Sequence, residues 1–212
     1  MDRESELQKF LERDFNQCFQ QLRDYSQQMW DITKFTFTAY ASLLGIALGA
    51  YKLAAEQNVD LKIPVTAALG AGSLVGFFMF GLLTRNRVYF VTIARYINSH
   101  RKHFFDISPE STRFARGFYD NPNYPKFVNV FSSHAFISYI VAALNSILVV
   151  TILLLYLWNH KNIPTISITA VVGSFLLQVV PALIYLRSRE NKSANRAVFG
   201  DSTRSRVIEH GS

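Results

Sequence analysis

The chain has 212 residues, half of them hydrophobic and only 17% charged, with a formal net charge of +7 and one cysteine. That size fits one average soluble domain or a small bundle of membrane helices, and the way the apolar residues cluster favours the second. A lone cysteine excludes an intrachain disulfide framework, and the positive charge is no evidence for nucleic acid where most of the bases flank apolar stretches.

Residues 5–32 read as a helix, with Leu11, Phe15, Cys18, Leu22, Tyr25 and Met29 at alternating spacings of four and three, the seam of a coiled coil. The opening "MDRESELQKFLERDF" mixes both signs of charge without an apolar run, so a cleaved signal peptide is not expected and the first span acts as the insertion signal. Cys18 reads as a small apolar residue in the seam, kept reduced in the cytosol.

Four stretches carry no charge: residues 35–51, 63–84, 135–158 and 163–186. Each approaches the roughly 20 residues that a helix needs to cross the hydrocarbon core. The fold class expected is therefore all-α, an integral membrane four-helix bundle made of two helical hairpins, with helical cytosolic extensions. Its parts are an N-terminal arm (1–34), a first hairpin (35–84), a basic helix and aromatic loop (85–134), a second hairpin (135–186) and a flexible tail (187–212).

Of the 22 Lys and Arg residues, 19 fall in the N-terminal arm, the 85–134 connector and the C-terminal tail. The positive-inside rule places all three in the cytoplasm, giving a multi-pass protein of a bacterial inner membrane. The arm has a net charge of −2 and the connector +5. Antiparallel packing of the arm on residues 85–105 would join these opposite charges.

Lipid gives apolar helices no reason to associate, so close backbone approach and polar contacts must hold the spans together. Ala41, Gly45 and Gly49 recur at every fourth position in the first span, and Ala68, Gly72 and Gly76 in the second, which predicts two small faces in contact. Ser138, Ala142 and Ser146 should face Ala170, Ser174, Gln178 and Ala182 in the second hairpin. Asn145 and Gln178 lie at similar depth and are expected to hydrogen-bond. "KIPVTAALGAGSL" and "NIPTISITAVVGSF" each place a proline just inside a span, a weak sign of hairpin duplication. Pro181 should kink the fourth span.

No acid, base or histidine falls inside a span, which disfavours ion pumps, proton-coupled carriers and voltage sensors. On a helical wheel of residues 85–105, Tyr89, Phe90, Ile93, Tyr96, Ile97 and Phe104 form an apolar face that should pack on the arm. The opposite face carries Arg87, Arg95, Asn98, Arg101 and Lys102. Arg87, Arg95, Arg101 and Lys102 are the candidate ligand-binding residues, for a nucleotide, RNA or a lipid headgroup, or for a cytosolic protein partner. The bland alternative is a solvated face close to anionic headgroups.

His100 interrupts the apolar face and, with His103, is a candidate functional residue. With Asp106 and His134 these histidines make only a weak zinc signal, and neither a metal nor a cofactor is expected. The segment between the hairpins, residues 106–134, is rich in Pro, Asn, Ser and aromatics and reads as an ordered, nonhelical loop packed on the neighbouring helices.

Arg95 and His100, separated by four residues, resemble the catalytic motif of the HEPN ribonucleases, although Tyr96 replaces the polar residue that often follows the arginine. The resemblance covers six residues and implies catalysis only if two copies face each other through this helix. The whole plan of four spans, a helical arm and a basic connector resembles small bacterial four-span membrane proteins, some of which accompany CRISPR or antiphage systems as accessory or effector proteins. Paired carboxylates, a nucleophile motif and a phosphate loop are all missing, so an enzyme is not expected. The reading favoured is an oligomeric inner-membrane protein, a pore-forming or membrane-perturbing effector controlled by its cytosolic layer. The runner-up is a membrane anchor or scaffold that recruits a cytosolic partner.

Overall fold

The computed structural model describes residues 3–57, 59–107, 121–157 and 162–195, and the side chains of 3–5, 7, 8, 55, 103–107 and 192–195 lie outside that description. All regular structure among these residues is helical: α1 (Arg3–Gln57), α2 (Lys62–Ile107), α3 (Ser133–Leu157) and α4 (Ile163–Asn195). All four helices are long and apolar enough to cross a membrane.

The helix starts follow local chemistry. Asp60 Oδ1 accepts the Lys62 N–H at 2.9 Å ahead of α2, and Ser132 Oγ accepts the Ala135 N–H at 3.3 Å ahead of α3. Pro164 sits in the first turn of α4, where a missing N–H costs nothing. Within the apolar stretches the hydroxyls of Thr36, Ser73, Thr84 and Ser146 donate to the carbonyl four residues earlier, which satisfies them without water.

The chain divides into two compact units. One, here the polar unit, comprises residues 1–28, 86–129 and 185–212; the other, the apolar unit, comprises 29–85 and 130–184. Of the expected flexible tail, residues 196–212 lie outside the described residues, and the part before them is helical. Residues 187–195 continue α4, because nothing in "RSRENKSAN" breaks a helix and Glu190 finds a buried partner.

In the apolar unit one cluster joins Met29, Phe80, Leu83, Ile137, Val141, Ala142 and Val179, and a second joins Tyr40, Leu69 and Leu148. The first hairpin does not pack small face on small face. Gly72 and Gly76 of α2 are buried, but a Cβ built on Gly45 or Gly49 of α1 would meet nothing within 4 Å. The side of α1 turned inward is instead the larger one, with Tyr40, Leu43, Leu44 and Ala47. Large side chains fill the groove that the α2 glycines leave, which buries more area than two bare backbones would. A Cβ on Gly76 would collide with Tyr40 Oη and Asn145 Oδ1.

The second hairpin forms the contact its spacing implies. Asn145, fully buried, donates through Nδ2 to Gln178 Oε1 at 2.6 Å, and Gln178 Nε2 donates to Ala142 O at 3.3 Å and Ser174 O at 3.1 Å. Pro181 removes the N–H that would bond the Leu177 carbonyl, yet α4 is helical on both sides of it.

Candidate functional site

The polar unit is built around residues 86–102 of α2, whose Val91, Ile97 and Asn98 are buried. On one side lies the arm of α1. The seam residue Cys18 is buried, and Leu11, Phe15, Leu22 and Tyr25 are half-buried, as a coiled-coil spacing demands; Met29, the last of the seam, is buried in the first cluster of the apolar unit. Tyr25 stacks on Tyr89 with ring centroids 5.6 Å apart, and Phe15 stacks on His100 at 6.5 Å.

The acidic arm meets α2 through one carboxylate in particular. Tyr96 donates its hydroxyl to Asp14 Oδ2, and His100 Nε2 lies 3.8 Å from the same oxygen. Burial first, and then that hydrogen bond, push the Tyr96 phenol above its ordinary range; burial and the Asp14 charge raise the Cys18 thiol likewise. Arg101 lies over the Phe19 ring at 5.3 Å. It therefore faces the arm and not an open basic surface.

On the other side of α2, two of the four expected ligand-binding cations are enclosed by the fold. Arg95 is 1% exposed and Arg87 7%. Arg95 Nε donates to Pro125 O at 2.9 Å, its Nη2 donates to Glu190 Oε1 at 2.5 Å, and the guanidinium lies 4.5 Å over the Phe127 ring. Arg87 donates through Nη2 to Lys126 O at 2.8 Å and through Nε to Phe127 O at 3.5 Å. Asn98 Nδ2 donates to Tyr124 O at 2.7 Å and Asn121 O at 3.2 Å.

These groups hold the segment 121–127, which includes the cis Tyr124–Pro125 bond, against α2. The physical reason is plain. A prolyl-rich, nonhelical segment has backbone carbonyls without partners, and a buried guanidinium supplies donors in a fixed fork. Glu190 completes the arrangement by accepting the Phe127 N–H on Oε2 at 2.7 Å. Of the four candidate cations only Lys102 is openly exposed.

His100 and Arg95 have separate partners, Asp14 and Phe15 for the first and Glu190 with the loop for the second. Arg95 is thereby enclosed, and the guanidinium that the ribonuclease resemblance needs is engaged within the fold. The side chains of His103 and Asp106 lie outside the described residues. Among those residues no group of three or more His, Cys, Asp or Glu could hold a metal ion.

Sequence reasoning missed Glu190, Asp14 and the loop carbonyls. The signal for Glu190 was present, since it is the lone acid in a helix-compatible segment that follows the fourth span. The loop carbonyls left no signal, because their role depends on backbone geometry. In comparisons with known proteins, no family, no curated sequence and no solved structure matches this chain.

Proposed function

We propose that the chain is a multi-pass protein of the bacterial inner membrane, with both termini in the cytoplasm, and that several copies assemble. A conducting or membrane-perturbing path then forms between copies, under the control of the polar unit; the plan shared with accessory proteins of bacterial defence gives the corresponding setting for an effector.

One observation carries this reading. Thr38, Ala41, Ser42, Gly45 and Gly49 of α1 are all exposed, and the two glycines have open space in front of them. Only 6% of the most apolar stretch of α1 is buried within the chain, against 33% for α3. In lipid, a face of small residues lets a second backbone approach closely. Among the described residues the middle of the apolar unit is packed, with Leu69, Val141, Asn145 and Leu148 fully enclosed. On this reading conduction belongs to the space between copies.

A second reading, a membrane anchor that recruits a soluble partner, is favoured by the outer face of the arm. Lys9, Glu12, Arg13, Asn16, Gln20, Arg23 and Asp24 are exposed there. Mass measurement of the detergent-solubilised protein separates the two. With Cys18→Ser as background, Gly45→Cys or Gly49→Cys should cross-link copies, whereas Ile168→Cys should not. A monomeric mass with no cross-link at Gly45 or Gly49 removes the pore and leaves the anchor.

A further inference from the structure

Arg87 is held in a way that leaves part of its chemistry unused. Its side chain is nine-tenths buried, yet it hydrogen-bonds only to the neutral carbonyls of Lys126 and Phe127. No carboxylate among the described residues lies within ion-pair distance of it. Glu190 has committed Oε1 to Arg95 and Oε2 to the Phe127 N–H. Two guanidinium groups thus share one carboxylate.

Burial opposes the charge on Arg87 most; Tyr124 favours it, the nearby Arg95 opposes it, and Glu190 favours it. A guanidinium nevertheless does not lose its proton in a protein, so a cation in this position calls for a counter-charge. Its geometry shows where one would sit. The guanidinium has five N–H donors in a planar fork, and the two loop carbonyls take the Nε and Nη2 side. Among the described residues the Nη1 end donates to no protein atom. No Arg87 nitrogen is both fully enclosed and without a partner, so this end reaches the outside. One N–H of Nη1 and the second N–H of Nη2 run parallel there, the pair that matches two oxygens of a phosphate.

The position along the chain fits as well. Arg87 follows the charge-free stretch ending at Thr84 by three residues. At ~1.5 Å per residue that is ~5 Å of helix, which on the membrane reading is headgroup depth.

We infer that the Nη1 end of Arg87 is a binding site for one phosphate group, from an anionic phospholipid headgroup or from a free phosphate. Bound there, the phosphate would balance the second guanidinium and tighten the hold of α2 on residues 121–127. The inference does not depend on oligomerisation and survives a monomeric mass.

The test uses full-length, delipidated protein in a neutral maltoside detergent, with the thermal midpoint followed during two titrations. One adds inorganic phosphate at constant ionic strength, and the other adds phosphatidylglycerol to the micelles. A saturable rise with phosphatidylglycerol alone identifies the headgroup as the source, and a rise with inorganic phosphate identifies the free anion. Arg87→Lys keeps the charge but loses the fork, and should weaken half-saturation by about tenfold. Lys102→Gln, which alters an exposed cation elsewhere, should leave it unchanged. Silence of the unmodified protein to both titrants overturns the proposal, and so does an equal loss in Arg87→Lys and Lys102→Gln.

Discussion

The two units bury polar groups by opposite means. In the polar unit the buried groups include full charges, and their partners are carbonyls of an irregular segment together with one carboxylate from the end of α4. In the apolar unit they are neutral: the Asn145–Gln178 pair and the hydroxyls of Thr36, Ser73 and Ser146 bond to their own or a facing helix, while among the described residues Tyr40 Oη, Thr66 Oγ1 and Ser174 Oγ stay without a hydrogen bond. The difference follows from what each backbone leaves unsatisfied. A continuous helix has no spare carbonyls in its middle, so it needs only neutral side chains that close on themselves, whereas segment 121–127 has carbonyls that attract strong donors. Charge is used where the backbone is irregular, and fit is used where it is regular.

The largest effect that could break this contrast is loss of Arg95. Arg95→Ala leaves Glu190 and the Pro125 carbonyl without their partner; truncating one member of a fully buried pair costs about 3–5 kcal/mol, an upper bound here because Glu190 is 30% exposed. The expected outcome is selective loss of the polar unit, read as rapid proteolysis of residues 121–127 and a lowered thermal midpoint. The double variant Arg95→Leu with Glu190→Leu should be milder than Arg95→Ala. If it is worse, the pair contributes net stability and not merely specificity.

In the apolar unit the corresponding disruption is steric. Gly76→Leu must displace Tyr40 and the Asn145 amide together, an overpacking cost of about 1–3 kcal/mol or more. Gly45→Leu should leave the stability of one chain unchanged and lower the mass of the assembly. Equal thermal midpoints for these two variants would mean that α2 does not supply the groove. Gln178→Leu removes a neutral pair within the apolar core, for which about 0.6 kcal/mol is typical. A loss as large as that of Arg95→Ala would erase the distinction between the two kinds of polar burial.

The smallest effect depends on pH. The Cys18 thiol, ordinarily at 9.0, is raised in the folded protein by burial and by Asp14. Below 9.0 both the folded and the unfolded chain hold the proton, and nothing is lost. Above it the unfolded chain releases a proton that the folded one retains, so stability falls with rising pH until the folded thiol titrates. Tyr96 acts in the same direction from its ordinary 10.0 upward. Thermal midpoints between pH 8 and 10.5 should therefore decline in the unmodified protein, and Cys18→Ala should flatten the first part of that decline.

How much could be read from the sequence depends on whether a neighbour in the chain or a neighbour in space decides the outcome. The heptad residues Cys18 and Met29 are buried where their spacing places them, and Asn145 meets Gln178 at the depth that counting along two helices implies. Helical period and rise are properties of the local chain, so no tertiary knowledge was needed. The same reasoning failed for the small stripes. Gly45 and Gly72 look alike in sequence, but Tyr40 and Leu43 compete for the inner side of α1 and win on buried area.

The amino-acid sequence by itself determined four apolar helices, the arm that packs along α2, and the polar pair in the second hairpin. Each follows from periodicity and from the need of a backbone to bond to itself in an apolar setting. Only the tertiary structure decided the fate of the arginines. A helical wheel shows which side of α2 they occupy, but it does not show that residues 121–127 and Glu190 cover that side. Whether a basic face meets water, lipid or a loop is set by chain segments 30 to 95 residues away, and such distant pairings are invisible to any local pattern.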